Sequence, residues 1–552
     1  MRLTKITLGD KQHELSNLVI IIGPNGTGKT TLLADLFTQS LIHTKNSTTS
    51  GRTAQWHEAM FRDDFYEISK DEFKEWIENQ QIVPGVQQNN QDMYGLKNSR
   101  TQANYTIEAS RVLECKERIE QQDYNLDNDS YFTEKIKGSY FGYYPVDRRF
   151  GVSSEASFAY TDRKAGSYFF HIKELRKAVN KALATYFNKK MFIRNTDNMQ
   201  YSLVIGSIKI PEPPVHRNDS EGIARMIEEH KVWARDHDVK DLITEGHGVR
   251  AFVDIISGIV DPVEKVVFLD EPELHLYPDA KRRLGTDIAK ASKKKQIVMV
   301  THDTDIIDGI INQEVPFDVL RIKPDHTIDF VKFDASALAS IRSEKKYTPA
   351  LRAGFYDCAV FVEGVSDRFV YGNIFHDRDF MKDRSYTFIS SNGKETIPHH
   401  LKFALSIHLP IAIIVDHDAL FEKDTLKNIL ETLIIYPQYA AHKGKIDETL
   451  TLLTKVNADT LGVIDRKKGL GGDQSRYGVS TVKDIQKLLT SLQELGVFVV
   501  PIGELEDWVG GPNSLSAEEV YGKYHWRPFA KYKDLTDFLE GVSSYLLKAI
   551  QQ

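Results

Sequence analysis

The sequence contains very little cysteine and no long hydrophobic run. Only Cys115 and Cys358 occur among its 552 residues, too few for a disulfide framework or a cysteine-rich zinc site. No apolar stretch approaches the roughly 20 residues that cross a bilayer. The first residues, Met-Arg-Leu-Thr-Lys-Ile, lack the apolar segment of a signal peptide. We therefore expect a cytoplasmic protein with reduced thiols and no membrane partner.

The sequence also lacks the excess of basic residues that most nucleic-acid-binding domains carry. Its formal net charge is −7 at pH 7. This balance does not exclude nucleic acid, because a nuclease site is itself acidic and a basic patch can be local. The apolar share of 41% and the charged share of 27% are ordinary for globular protein. The length suggests about three or four compact units.

A phosphate-binding loop lies near the N-terminus. Gly23-Pro-Asn-Gly-Thr-Gly-Lys-Thr30 follows the apolar run Leu18–Ile22 and precedes helical sequence, the context that a P-loop requires. Its glycines let backbone N–H groups surround the phosphates of ATP, and the helix start adds partial positive charge. Thr30 is predicted to ligate Mg²⁺. The residues predicted to contact the nucleotide are Asn25, Gly26, Gly28, Lys29, Thr30 and Thr31.

A second ATPase motif ends the apolar run at residues 266–269. Asp270 is predicted to bind the nucleotide's magnesium, and Glu271 to orient or deprotonate the attacking water. His302 follows the run Gln296–Val300 and is predicted to sense the γ-phosphate. A lone acidic pair or histidine at a strand end is usually structural, but the P-loop upstream favours the catalytic interpretation.

Two acidic motifs follow buried-strand signatures in the second half of the chain. Glu363 and Asp367 follow one apolar run, and Asp416 and Asp418 follow Ile411–Val415. Both acids of an Asp-x-Asp can face one site, and clustered carboxylates repel unless a hard cation such as Mg²⁺ or Mn²⁺ joins them. The alternative is that the acids merely cap strand-to-helix turns. Their joint occurrence favours a metal site for phosphodiester hydrolysis.

The alternation of buried strands and helical segments predicts an α/β protein with two sheet-containing units. We place a P-loop ATPase domain at residues 1–335, with a large insertion at about 41–140. A linker is predicted at 336–348. A second α/β domain with its own parallel sheet is predicted at 349–552.

The ATPase motifs resemble those of ABC-type ATPases of the SMC, RecF and OLD group. Besides the P-loop, the resemblance rests on Leu-Asp-Glu-Pro-Glu-Leu-His-Leu-Tyr-Pro278 and Val-Thr-His-Asp303. The signature loop of that group is matched best by Thr244-Glu-Gly-His-Gly248, which departs from the usual Ser-x-Gly. In this group two heads enclose ATP, so the resemblance implies a homodimer or a larger homo-oligomer.

The acidic motifs resemble those of the TOPRIM domain. Phe361-Val-Glu-Gly-Val-Ser-Asp-Arg368 is similar to its first motif, and Ser391-Asn-Gly-Lys394 to the loop after its second strand. The resemblance implies that Glu363 is a metal ligand or general base and that Asp416 and Asp418 hold metal. It makes Asp367 a further ligand or a neighbour of one.

A late acidic segment extends this resemblance. Pro501-Ile-Gly-Glu-Leu-Glu-Asp-Trp508 is similar to the last motif of OLD-type and DUF4435-type TOPRIM domains. It implies Glu506 as a metal ligand, with Glu504 beside it. OLD-type nucleases also use a late lysine, for which Lys531 and Lys533 are both candidates.

The order of the two domains resembles that of OLD-family nucleases, which include anti-phage effectors of the Gabija, retron and PARIS type. The resemblance implies an ATP-regulated, Mg²⁺- or Mn²⁺-dependent nuclease that cuts DNA or tRNA in prokaryotic antiviral defence. A non-coding RNA, a reverse transcriptase or a second protein could restrain it. The alternative is an ABC-type DNA clamp or sensor whose acidic domain is a non-catalytic scaffold for a toxin or partner.

Overall fold

The chain forms two compact units, residues 1–21 with 28–318, and residues 22–27 with 319–552. The computed structural model describes residues 2–3, 5–8, 11–41, 66–67, 80–84, 93–98, 104–108, 141–144, 156–157, 169, 173–195, 200–214, 220–261, 264–342, 351–422, 424–457, 479–509, 516–525 and 533–551.

The first unit is mixed α/β. Its strands are, in chain order, β1 (Arg2–Leu3), β2 (Lys5–Leu8), β3 (Lys11–Glu14), β4 (Leu18–Ile22), β5 (Tyr66–Glu67), β6 (Gln80–Pro84), β7 (Met93–Asn98), β8 (Asn104–Glu108), β9 (Phe141–Tyr144), β10 (Ala156–Ser157), β11 (Lys189–Asn195), β12 (Gln200–Ser207), β13 (Lys240–Asp241), β14 (Val266–Asp270) and β15 (Gln296–Val300). Its helices are α1 (Lys29–Leu41), α2 (Lys173–Phe187), α3 (Ser220–Asp236), α4 (His247–Val260), α5 (Pro278–Ala291) and α6 (Thr304–Ile311).

A parallel sheet carries the ATPase motifs of this unit. Strands β4, β15, β14 and β9 are neighbours in that order. Every residue of β4, β14 and β15 is buried. Strands of a parallel sheet are covered on both faces, which explains why these segments are continuous apolar runs in the sequence. The carboxyl ends of β14 and β15 therefore lie side by side.

The other described sheets of the first unit are antiparallel. β11 and β12 form a hairpin with Lys189 opposite Ser207, and Phe192 packs against Trp233 of α3. The described part of the predicted insertion contains a three-stranded antiparallel sheet, β6-β7-β8. These described strands of the insertion are thus antiparallel, unlike the parallel strands that carry the ATPase motifs.

Helices α5 and α6 cross at two glycines. A Cβ atom on Gly285 would lie 2.1 Å from the carbonyl oxygen of Ile306, and one on Gly309 would lie 2.1 Å from that of Arg282. No side chain fits between backbones at this separation. Arg282 also bridges the helices, with ion pairs of 2.8 Å to Asp305 and 2.9 Å to Asp308.

We expect Gly285→Val to destabilise the first unit by at least about 3 kcal/mol, because α5 must move away from the backbone of α6. Urea unfolding measures the change in free energy. The matched control is Gly444→Ala, whose added Cβ meets nothing within 4 Å and which should be neutral or mildly stabilising. Equal stability of Gly285→Val and the parent would contradict the close crossing.

The second unit contains a separate parallel sheet. The strands of this unit are β16 (Phe317–Ile322, which begins in the first unit), β17 (Ile328–Phe333), β18 (Cys358–Val362), β19 (Tyr386–Ser390), β20 (Ile411–Val415) and β21 (Val497–Val499), of which the last four form the separate sheet. Its helices are α7 (Ala335–Arg342), α8 (Val365–Asp377), α9 (Ile397–Ser406), α10 (Thr425–Ile434), α11 (Lys443–Asn457), α12 (Val479–Gln493), α13 (Ala517–His525) and α14 (Lys533–Gln551). The sheet order is β19-β18-β20-β21, with every neighbouring pair parallel.

Short 3₁₀ helices follow several strands of the second unit. Those nearest the acidic motifs are Lys394–Thr396, His417–Phe421 and Leu505–Val509. The core beneath them packs α8, α13 and α14 against the sheet through residues such as Phe375, Phe388 and Leu539. The predicted linker at 336–348 begins within α7, and its remainder lies outside the described residues.

The predicted fold class is confirmed: the chain is α/β, with a P-loop ATPase sheet followed by a second parallel sheet. Within the described ranges, no helix is long and apolar enough to span a membrane.

Candidate functional site

The P-loop connects β4 to α1. Gly26 and Gly28 have φ angles of +80° and +88°, in the left-handed region that favours glycine. Helix α1 then begins at Lys29, so its first backbone N–H groups face the loop. Asn25 and Thr31 are both exposed, as nucleotide contacts would have to be.

Lys29 and Thr30 face the end of β14. The Thr30 hydroxyl donates a 3.1 Å hydrogen bond to Asp270 Oδ1, so the two predicted magnesium ligands are in contact. Lys29 is only 5% exposed. Burial lowers the pKa of Lys29 to about 8, although the nearby Glu271 and Asp270 favour its charged form. A phosphate group of the nucleotide would add a further counter-charge beside Glu271 and Asp270.

Glu271 and His302 end neighbouring strands. The φ angle of Glu271 is +45°, an unusual value for a non-glycine residue, and its backbone N–H donates to the Val300 carbonyl at 2.9 Å. His302 Nε2 lies 3.5 Å from Glu271 Oε1. Burial, and to a lesser degree the charge of Lys29, lower the pKa of His302 to about 4. The imidazole is therefore neutral at pH 7 and can accept or donate a hydrogen bond.

Glu273 fixes the position of His302. Its Oε1 accepts hydrogen bonds from the Thr301 hydroxyl at 2.8 Å and from the His302 backbone N–H at 2.9 Å. Burial raises the pKa of Glu273 to about 7, against the effect of these hydrogen bonds. In the sequence, Glu273 is part of the motif after Asp270, and no role is predicted for it. The signal that marks it is an acid two residues beyond Glu271.

We expect Glu273→Ala to slow ATP hydrolysis about tenfold with little loss of ATP affinity, because the buried Thr301 hydroxyl and His302 N–H lose their acceptor. Glu273→Gln keeps an acceptor oxygen and should retain most activity. Steady-state ATP turnover and calorimetric ATP binding separate the two effects. Full turnover by Glu273→Ala would contradict this positioning role.

The predicted signature loop lies at the start of α4. The helix begins at His247, and a Cβ on Gly248 would lie 2.6 Å from the His275 carbonyl oxygen. The rings of His247 and His275 are 5.7 Å apart. Glycine is thus required where the loop meets the segment after β14. Its role in covering a second subunit's ATP stays a prediction.

The first acidic motif and the Asp-x-Asp motif meet because β18 and β20 are parallel neighbours. The Asp416 backbone N–H donates a 2.9 Å hydrogen bond to Glu363 Oε1. Asp367, in the first turn of α8, accepts a 2.8 Å hydrogen bond from the Gly364 N–H. The predicted carboxylates thus surround the ends of two adjacent strands.

Lys394 is the cation of this cluster. Its Nζ lies 2.6 Å from Asp418 Oδ1 and 2.5 Å from Glu422 Oε1. Hydrogen bonds to these carboxylates raise the pKa of Lys394, against the effect of burial. In the sequence, Lys394 only ends the loop motif Ser391–Lys394, and no pattern predicts Glu422. Of the two late lysines, Lys531 lies outside the described residues, and Lys533 begins α14.

The carboxylates influence one another strongly. Burial first, and then the charges of Glu363, Asp367, Asp418 and Glu504, raise the pKa of Asp416 well above its usual value. Burial raises the pKa of Glu363 to about 7. Burial, followed by Glu504 and Asp367, also raises the pKa of Glu506. Glu504 and Asp367 thus each raise the pKa values of both Asp416 and Glu506.

Without metal, the free energy of unfolding should fall as pH rises from about 4.5 to about 7, because folded Glu363 binds its proton more tightly than unfolded Glu363 does. This shift corresponds to about 3 kcal/mol, present in full below pH 4.5 and lost above pH 7. Urea unfolding in chelating buffer across this window measures the slope. Glu363→Gln should have a shallower slope, and equal slopes would contradict the assignment.

The acidic cluster suits a hard divalent cation by its chemistry, since its donors are carboxylate oxygens that repel one another. In the described part of the chain, however, no three His, Cys, Asp or Glu side chains are already arranged around one ion. Lys394 engages Asp418, and Gly364 engages Asp367. A cation that binds Asp418 would therefore compete with Lys394 for Oδ1 or use the second carboxylate oxygen.

Family models match both parts of the chain. Residues 241–308 match an AAA domain model whose description names the AbiEii toxin and type IV toxin–antitoxin systems. Residues 355–418 match the TOPRIM domain of proteins like the overcoming lysogenization defect protein. A guanylate kinase model matches residues 15–123, which include the P-loop. No curated protein matches the chain at a significant level.

Solved SMC head domains are also similar to this chain. One, bound to the C-terminal winged-helix domain of ScpA, has 14% identity and a TM-score of 0.30, covering 60% of this chain and 98% of its own. The Thermotoga maritima head has 12% identity and a TM-score of 0.27, with coverages of 60% and 100%. A Pyrococcus furiosus head has 11% identity and a TM-score of 0.30, with coverages of 62% and 99%. TM-scores this low add nothing to the family matches.

Proposed function

Because this chain is an OLD-family fusion of an ATPase domain with a TOPRIM domain, we propose that it is an ATP-regulated, divalent-metal-dependent nuclease. Its substrate is DNA or tRNA, and its role is that of an effector in prokaryotic antiviral defence. It works in the cytoplasm as a homodimer or larger homo-oligomer, restrained by a non-coding RNA, a reverse transcriptase or a second protein.

The observation that carries this proposal is the meeting of Glu363 and Asp416 at adjacent strand ends. The backbone N–H of Asp416 holds the Glu363 carboxylate, while Asp367 and Asp418 raise the pKa values of both acids. Such crowding is unfavourable for a fold alone, and burying like charges is typical of catalytic sites. A non-catalytic scaffold would have no use for it.

The chain's own groups divide the work of phosphodiester hydrolysis. Glu363, with a pKa of about 7, can take up or release a proton near neutral pH, as a general base must. Lys394 keeps its proton at that pH and can hold a phosphate oxygen. Asp416, Asp418, Asp367 and Glu506 would hold the ion, with Thr30 and Asp270 serving the ion on ATP. A bound Mg²⁺ or Mn²⁺ would activate water and neutralise the leaving oxygen.

ATP acts mainly as a conformational gate in this proposal. Lys29 and Thr30 bind the nucleotide, Glu271 orients the attacking water, and neutral His302 reports the γ-phosphate. These groups lie outside the domain that carries the acidic cluster. Hydrolysis of ATP and cleavage of nucleic acid should therefore be separable by mutation.

The test is incubation of purified protein with plasmid DNA and with total tRNA, with Mg²⁺ or Mn²⁺, and with ATP, ADP or no nucleotide. We expect metal-dependent cleavage of one substrate that changes with nucleotide. No cleavage under any of these conditions would favour the clamp or scaffold. A phage-plating assay on bacteria carrying the gene with its flanking genes tests the defence role, and equal plaque counts with and without them would contradict it.

A further inference from the structure

A groove of about 710 Å³ runs along the edge strand of the second unit's sheet. One wall is the exposed face of α8, including Val365, Arg368 and Phe369, and the other is β19. Arg352 lies at the groove as well. Its volume is in the range of about 300–1,000 Å³ that small-ligand sites occupy. The groove is therefore large enough for one or two nucleotide units.

Both arginines of the groove are available to an anion. Neither guanidinium has a carboxylate partner among the residues that the structure describes, whereas the Arg282 guanidinium forms ion pairs with Asp305 and Asp308. Arginine binds phosphate oxygens through two parallel N–H groups. The chain as a whole has a net charge of −7, so its surface is not basic overall. The two arginines form a local basic patch in this domain.

An aromatic ring lines the same groove as the two arginines. Phe369 is 38% exposed and Val365 is 63% exposed, values that are high for large apolar side chains. The Phe369 ring makes an edge-to-face contact with Tyr521, with ring centroids 5.8 Å apart. Tyr521 in turn donates a hydrogen bond to Asp377, which fixes this support. A ring held at its edge keeps a face on which a base can stack.

The groove is continuous with the acidic cluster. Arg368 directly follows Asp367, and Val365 opens the same helix that begins after Glu363. On the opposite wall, Asn392 precedes Gly393, whose N–H donates to the Glu363 carbonyl at 2.9 Å. A nucleic-acid strand lying in the groove would thus reach the carboxylates of the acidic cluster.

We propose that this groove holds a single-stranded stretch of the nucleic-acid substrate, with Arg352 and Arg368 on its phosphates and one unstacked base on Phe369. This inference rests on the proposed nuclease function and names how the substrate enters. Unpaired strands are typically bound in this way, by a charged groove with aromatic stacking.

The test measures binding separately from cleavage. In a Glu363→Gln background, fluorescence anisotropy compares a labelled single-stranded oligonucleotide with its duplex. We expect Phe369→Ala to weaken single-strand affinity about tenfold. Arg368→Glu should weaken it at least as much and lower the salt dependence of binding by about one phosphate contact. Phe369→Trp should bind like the parent. The matched control is Arg384→Glu, which lies outside the groove and should have no effect.

The outcomes separate this inference from the proposed function. Unchanged single-strand affinity in both Phe369→Ala and Arg368→Glu would overturn the inference, even if the parent cuts nucleic acid. Equal losses for duplex and single strand would also overturn it. If the groove bound its ligand with an affinity that does not change with salt concentration, a peptide partner would be indicated instead of nucleic acid. If the two variants lose single-strand binding but the parent protein never cuts nucleic acid, only the proposed nuclease activity is refuted.

Discussion

Replacing Glu363 with Gln will abolish metal-dependent cleavage, with a loss of at least about a thousandfold. The amide keeps the shape that accepts the hydrogen bond from Asp416 but removes both the negative charge and the basic oxygen. Of the cluster's acids, Glu363 is held by the next strand's backbone and has a pKa of about 7. Cleavage rates on the preferred substrate, with saturating Mn²⁺, measure the loss.

Glu431→Gln is the matched control for this change. Glu431 is an exposed acid of α10 with only a surface ion pair to Lys427, so its loss should leave cleavage unchanged. Glu363→Gln should still hydrolyse ATP, which shows that the protein is folded. Cleavage that persists in Glu363→Gln would contradict the assignment of the acidic cluster as the cleavage site.

Replacing Lys29 with Ala will remove ATP binding, with a loss in affinity of more than about a hundredfold. The buried ammonium is the group placed to meet the nucleotide's phosphates, and burial already disfavours its charge without them. The fold should survive, because the buried Asp270 keeps its hydrogen bond from the Thr30 hydroxyl. Isothermal titration calorimetry with ATP measures the affinity.

Lys294→Ala, on the exposed turn after α5, is the control for Lys29. It should bind ATP like the parent. Unchanged ATP affinity in Lys29→Ala would refute the P-loop assignment. If ATP gates the acidic cluster, Lys29→Ala should also make cleavage indifferent to added nucleotide.

The buried strands could be predicted almost to the residue, because a strand covered on both faces must be apolar throughout. Leu18–Ile22 and Ile411–Val415 coincide with β4 and β20. The two acidic motifs could be predicted to meet for a related reason. Parallel strands align their carboxyl ends at one edge, so acids that directly follow neighbouring strands come together. That β18 lies between β19 and β20 was not predictable from these patterns.

The residues that pair with the predicted site residues could not be predicted from the sequence. Lys394 reaches Asp418 across 24 positions, and Glu273 reaches Thr301 across 28. Apolar periodicity encodes which face of an element is buried, whereas it does not encode which charge a long flexible side chain will meet. The groove along α8 could not be predicted either, since nothing in the sequence distinguishes Arg368 and Phe369 from ordinary surface residues of a helix.

The ion pairs of Lys394 with Asp418 and Glu422 give this domain an internal counter-ion. Protein prepared in a chelator should therefore be natively folded yet inert, and metal should load by exchange with an ammonium rather than by refolding. Metal loading would then depend on how tightly the cation binds the carboxylates and on its concentration. Scarcity of free divalent ions would then restrain cleavage in addition to any bound inhibitor.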